Sequence, residues 1–214
     1  MEVLGYSVHI MNTAREREDE LTREILDVID REKDVSQRSI ARHLGVALGL
    51  ANSYLKRCAR KGLIKISEAP ANRYLYYLTP KGFAEKSRLT AQYLSHSLSF
   101  YRKAGDSCLR VFDQCEANGW RRLLLCGVSD LAEIATLRAM ERDILIVGIY
   151  DPASERTRFL NRTVWRLLAA ANQHDACMLT DLQAPQSSYR LLKECVAQDR
   201  ILVPDVLRLD SHEA

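Results

Sequence analysis

The sequence predicts an α/β protein of two domains, a small helical one closed by a β-hairpin and a small parallel α/β one after it. Three observations carry that prediction. Two short amphipathic helices and two short strands follow one another between residues 35 and 78. Continuous apolar runs at 122–126, 144–150 and 176–180 then alternate with helical segments, the pattern of a parallel sheet covered on both faces. The charge is divided as well. Residues 36–105 hold 13 Lys/Arg and 2 Asp/Glu, a net +11, whereas the chain from Asp106 onward holds 13 and 16, a net −3. The expected boundaries are a first domain at 1–78, a long helical linker at 79–119, and a second domain at 120–214.

The N-terminal elements can be justified one by one. Residues 1–11 have mild strand character. A first helix is expected over 18–33, where Leu21, Ile25, Val28 and Ile29 make one apolar stripe. Its outside is acidic, since residues 15–34 hold five Lys/Arg and nine Asp/Glu. Ser36 is then a good N-cap, because its hydroxyl can accept a free backbone N–H. Val35 and Ile40 are spaced for a hydrophobic staple across it. Gly45 can take the left-handed conformation that ends this helix. A further helix is expected over 48–60, with Ala51, Leu55 and Cys58 inward and Asn52, Ser53, Lys56 and Arg60 outward; Ala47 gives it a weak N-cap. Strands at 63–67 and 74–78, joined by the turn-rich EAPANR segment, complete a winged helix-turn-helix.

The outer face of the helix at 48–60 points to chemistry. A recognition helix sets short polar and basic side chains from its N-terminal half against base edges in the major groove. Gln37 and Arg38 are expected to hold phosphates. Leu48, Gly49, Asn52, Ser53 and Lys56 would face bases, and Asn72 and Arg73 would reach DNA from the wing tip. A helical hairpin with a solvated basic face is the bland alternative, and a module that docks on protein partners is another. The basic excess favours double-stranded DNA.

The stretch ARHLGVALGLANSYLKRCARKGLIKI, then NRYLYYLTPKGFAEKSRLT, resembles winged-helix regulators of the MarR type, closest to the group associated with exopolysaccharide gene clusters. The resemblance covers about residues 18–103 and includes the LTPKG sequence after the wing. It implies a bacterial, sequence-specific DNA-binding regulator acting as a homodimer on a palindromic site. Ala47 departs from the Ser or Thr with which such helices often begin.

After the wing, Thr79 is an N-cap and Pro80 suits a first helical turn. A long helix toward Lys103 is expected, with Leu94, Leu98 and Tyr101 on one side as a dimerisation face. A break is expected at Gly105-Asp106, then a further helix over 106–117 ending at Asn118-Gly119. Beyond it the strand at 122–126, a turn at 127–130, a helix at 131–141 and the strand at 144–150 make one βαβ unit. A helix over 161–172, a strand at 176–180, a helix at 185–197 and a strand at 201–203 follow.

The turn Gly127-Val128-Ser129-Asp130-Leu131-Ala132 stands where a Rossmann-like domain carries its phosphate loop. The segment LLLCGVSDLAEIA…ILIVGIYD resembles the nucleotide-binding halves of Rossmann-like proteins, including nucleotide-sugar-modifying enzymes and CoA-binding domains. Gly127, Ser129, Asp130 and Asp151 are therefore the candidate ligand residues. Ser129 in place of the middle glycine and the charge of Asp130 both oppose a bound dinucleotide. Three readings stay open: a scaffold that binds nothing, a sensor for a small-molecule effector (a nucleotide or nucleotide sugar), and an enzyme acting on a nucleotide sugar with an accessory winged helix. No cofactor, catalytic residue or metal ligand is expected. Tyr189 and Lys193 form a YxxxK pair without the context that would make it catalytic. The cysteines at 58, 108, 115, 126, 177 and 195 form no CxxC pair and read as free thiols, with a redox-sensor role for Cys108 or Cys115 as the alternative.

No apolar run approaches the length of a membrane helix and no export signal is evident, so the expectation is a cytoplasmic protein.

Overall fold

The computed structural model describes residues 14–32, 35–69 and 73–209. Residues 1–11 and Asn72 lie outside that range, and of Arg73 the backbone alone is described. The described chain divides into two compact units, one up to Ser97 and one from Leu98 on.

The first unit begins with α1 (Ala14–Arg31), α2 (Gln37–His43) and α3 (Leu48–Arg60). Ser36 caps α2: its hydroxyl accepts from Ser39 N at 3.0 Å, and Ser39 Oγ accepts from Ser36 N at 3.1 Å, a capping box built from two serines. Both helices end in Schellman motifs. Val46 N donates to Ala41 O and Leu63 N to Cys58 O, around Gly45 at φ +62° and Gly62 at φ +70°. Strands β1 (Ile64–Ala69) and β2 (Arg73–Leu78) pair antiparallel from Ile64↔Leu78 to Ala69↔Arg73. Ile25, Leu26, Ile40, Leu55, Ile64 and Tyr76 bury one core beneath all five elements.

Helix α4 (Pro80–Ala117) runs without interruption. The break expected at Gly105-Asp106 is absent. Gly105 is buried in the helix, where a Cβ would stand 2.7 Å from Arg138 Nε. This glycine marks the close approach of a neighbouring side chain, not a chain break. The division between the two compact units falls inside α4, at 97/98.

The LTPKG sequence has a clear structural task. Thr79 Oγ1 donates to the carbonyl oxygens of Gly62 (2.7 Å) and Leu63 (3.0 Å), while accepting from Gly82 N. Lys81 Nζ donates to Lys61 O at 2.8 Å. Gly82 lies so close to the chain that a Cβ there would stand 1.9 Å from Leu63 O. The start of α4 is thereby locked onto the turn that joins α3 and β1.

The second unit has the strand order β5-β6-β4-β3-β7-β8. It comprises β3 (Arg122–Cys126), α5 (Asp130–Ala139), β4 (Leu145–Tyr150), β5 (Arg158–Phe159), β6 (Arg162–Trp165), β7 (Ala176–Leu179), α6 (Pro185–Cys195) and β8 (Ile201–Leu202). All neighbours are parallel except β5 on β6. Counting the parallel strands in chain order gives 3-2-1-4-5, the Rossmann-like order, with its switch point between β3 and β7. Leu123, Leu125, Ile146 and Met178 pack under α4 and α5, while Leu124, Cys126, Cys177 and Leu179 pack under α6. Burial of both faces explains why the strands read as unbroken apolar runs.

The helix expected over 161–172 is not formed. A hairpin takes its place, turning at Leu160 (φ +45°) and Asn161 (φ +63°), and β6 joins β4 with Val164 on one face and Trp165 on the other. Trp165 lies over Gly148, whose Cβ would meet its ring at 2.1 Å. One short 3-10 turn, Leu168–Ala170, is the remaining helical part of that stretch.

Candidate nucleic-acid interface and the turn at Gly127

Helix α3 buries Ala51, Leu55 and Cys58 and turns the opposite side to solvent. Gly49, Ser53, Lys56 and Arg60 are all exposed, and their i, i+4, i+7, i+11 spacing puts them in one line along the helix. Leu48 and Leu50 flank the N-terminal end of that line at 43% and 44% exposure. There is no Asp or Glu between residues 35 and 67. One acidic side chain of α1 engages two other basic residues: Glu18 pairs with Arg57, and lies 3.8 Å from Lys61. That hydrogen bond with Arg57 holds the Glu18 carboxyl below its usual range. Arg57 is thus engaged by Glu18, while Lys56 and Arg60 face outward.

The sequence-nominated residues divide on inspection. Arg38, Leu48, Gly49, Ser53 and Lys56 are exposed as a DNA contact requires. Gln37 is half-buried and lies beside the Tyr76 hydroxyl, whose pKa burial raises and Gln37 partly restores. Asn52 is also half-buried, with Oδ1 turned inward and lacking a hydrogen-bond partner. Ser53 Oγ donates to Gly49 O at 2.9 Å, so its hydroxyl proton is engaged within the helix. Leu50 was not singled out from sequence, and Arg60 was read as outward without being named as a DNA contact. Helical spacing from Ser53 and Lys56 was the signal for Arg60.

At the C-terminal ends of β3 and β7 the polar groups mostly serve one another. Gly127 has φ +109°, and a Cβ there would stand 2.6 Å from Asp181 N. Thr180 Oγ1 donates to Gly127 O at 2.6 Å. Ser129 is the N-cap of α5: its hydroxyl accepts from Ala132 N at 3.2 Å and donates to Thr180 O. Asp151 accepts three backbone N–H groups, Val128 through Oδ2 at 2.8 Å and Ala153 and Ser154 through Oδ1 at 3.0 Å each. Asp130 sits in the first turn of α5, and burial raises its carboxyl pKa. Three of the four nominated ligand residues therefore build the turn. Thr180 and Asp181 complete it, and their place at the end of the strand beyond the switch point was the signal for them.

An open cavity of 490 Å³ lies at the other end of β7, bordered by Leu168, His174, Cys195, Val196 and Arg200. The thiols of Cys108 and Cys115 are buried and pushed up to about 12, which keeps them protonated at neutral pH and opposes a sensor role. Lys193 Nζ rests over the Tyr189 ring at 5.5 Å, a surface pair on α6. Among the described residues no group of His, Cys, Asp and Glu could hold a metal, and no helix is long and apolar enough to cross a membrane.

Comparison with known proteins places the first unit. The family model described as "Winged helix-turn-helix DNA-binding" matches residues 18–65. No curated protein matches the chain. Among solved structures, the chain is similar to MepR, a transcription regulator of the Staphylococcus aureus multidrug efflux pump MepA. Identity there is 21% over 38% of this chain and 60% of that one, with a TM-score of 0.34. The chain thus spans three fifths of the MepR length. It is also similar to ZitR, a zinc-responsive MarR family member of Lactococcus lactis, at 22% identity over 50% and 69% with a TM-score of 0.34. Human N-acetylserotonin methyltransferase in complex with SAM is matched at 12% identity over 94% and 81%, with a TM-score of 0.35. Residues 18–65 match the winged helix-turn-helix DNA-binding model and fold as a helix-turn-helix entering a hairpin, and a Rossmann-like α/β unit follows in the same chain.

Proposed function

We propose that this protein is a sequence-specific, MarR-like transcription regulator of the bacterial cytoplasm that binds double-stranded DNA as a homodimer. The observation that carries this reading is the outward line of α3, which is exposed and basic at Lys56 and Arg60, in a helix-turn-helix whose sequence from 35 to 67 has no Asp or Glu and which ends in a hairpin wing. Such a surface suits the major groove, and phosphate attraction supplies most of the affinity.

Dimerisation is proposed through α4. Phe83, Leu94, Leu98 and Tyr101 share one side of that helix, and the first three are 56%, 53% and 56% exposed. An apolar stripe of that length is costly in water and fits a second copy, which a palindromic DNA site also requires.

The second unit is proposed as a regulatory scaffold rather than an enzyme. Ser129 and Asp151 spend their polar atoms on the turn itself, which weighs against turnover of a nucleotide sugar at that place. A nucleotide or nucleotide-sugar effector is proposed for this unit, the open cavity bordered by His174, Asp175 and Arg200 being a place of small-molecule size for it.

The experiment is binding of the full chain to the DNA upstream of its own gene, with scrambled DNA as competitor. Preference for the upstream DNA supports the regulator; absence of binding to any duplex at low salt overturns it.

A further inference from the structure

We infer that the Leu48-Gly49-Leu50 turn of α3 reads the 5-methyl groups of thymine, with Gly49 as the point of closest approach between protein and base. The inference rests on the DNA-binding reading above and deepens it.

Gly49 is the N-terminal member of the outward line, in the half of a recognition helix that meets base edges. Nothing lies within 4 Å of where its Cβ would be, and its φ is not in the positive range that favours glycine. Nothing within its own domain therefore calls for glycine here, and alanine would be the better helix former. A surface that must approach the helix backbone closely does call for it.

The flanking leucines say what kind of surface. Leu48 and Leu50 stand half-exposed on either side of Gly49, outside the buried core, at one end of a strongly basic face. The Ser53 hydroxyl proton is held by Gly49 O, and Asn52 Oδ1 is buried away from the exposed face. Leu48 and Leu50 lie about 100° to either side of Gly49 around the helix and put an apolar side chain on each flank of the line, and the apolar feature of the major groove is the thymine methyl group.

The test uses the full chain and the duplex it recovers from a random-sequence pool. Thymine is expected at one or two fixed positions in each half-site. Replacing each with deoxyuridine, which lacks the methyl, is expected to weaken binding about fourfold per methyl removed. In a Leu48→Ala/Leu50→Ala variant that penalty disappears. Gly49→Ala is expected to weaken binding about tenfold while raising the thermal midpoint by about 2 °C. The rise shows that the fold is intact. Recovery of a defined duplex with no uridine penalty, or with Gly49→Ala binding as tightly as the parent, overturns the inference and leaves the regulator reading standing. Recovery of no duplex removes both.

Discussion

Asp151 Oδ2 holds the Val128 backbone N–H at 2.8 Å, tying the end of β4 to the turn that follows β3. The same carboxylate takes the amides of Ala153 and Ser154 through its other oxygen. An acid at the end of the second strand of a Rossmann-like unit thus acts here as a clamp between two loops. Asp151→Ala leaves three backbone donors without their acceptor. Loss of about 2 kcal/mol of stability is expected, read by denaturant unfolding of the full chain. An unchanged transition midpoint would contradict the clamp.

Gly82 seats the start of α4 against the Leu63 carbonyl, where a Cβ would overlap the oxygen. Gly82→Ala must displace either α4 or the base of the wing. A cost of about 1–3 kcal/mol is expected, together with weaker DNA binding, because Leu63 also joins the end of α3 to β1. Thermal unfolding and a binding titration read the two effects separately, and no change in either would be the contrary result.

The apolar stripe of α4 gives a prediction about assembly. Leu94→Glu and Leu98→Glu place charges on two residues that are each more than half exposed, so the protomer should keep its fold. Sedimentation should show a dimer in the parent and a monomer in the double variant. A monomeric parent would remove the stripe from the account.

The second unit should be sensitive to acid. Arg110 and Ser107 hold the Asp205 carboxyl below its usual range, and the backbone amides of Arg122 and Arg121 do the same for Asp175. Groups with depressed folded pKa values contribute stability above their unfolded value, about 3.9, and that contribution is lost as the pH falls through the folded values. The thermal midpoint is therefore expected to drop below about pH 4, and Asp205→Asn to lower it at neutral pH while flattening the acid drop. An identical pH profile in the variant would refute the role of Asp205.

Much of this architecture was legible because local chemistry and tertiary packing agree. The bounds of α3, the Ser36 cap and the glycines at 45 and 119 follow from helix physics alone, and the buried strands from their apolar runs. The hairpin at 158–165 was hidden because its turn uses Leu160 and Asn161 in the left-handed region, without the glycine that usually signals such a turn. Gly105 misled for the opposite reason, since its small size serves Arg138 and not a chain break. For the candidate site, sequence gave the outward positions of α3 but not their environment. Burial of the Asn52 oxygen, the contact of Gln37 with Tyr76, and the commitment of Ser129 and Asp151 to the Gly127 turn all depend on distant residues.

The most direct measurement is the affinity of the full chain for its upstream DNA across a salt series, for the parent and for Lys56→Ala. The account predicts affinity that falls linearly with salt on logarithmic axes, and a Lys56→Ala variant that binds more weakly with a slope shallower by about 0.9. Equal affinity and equal slope for the two proteins would contradict the placing of Lys56 and the α3 face on DNA.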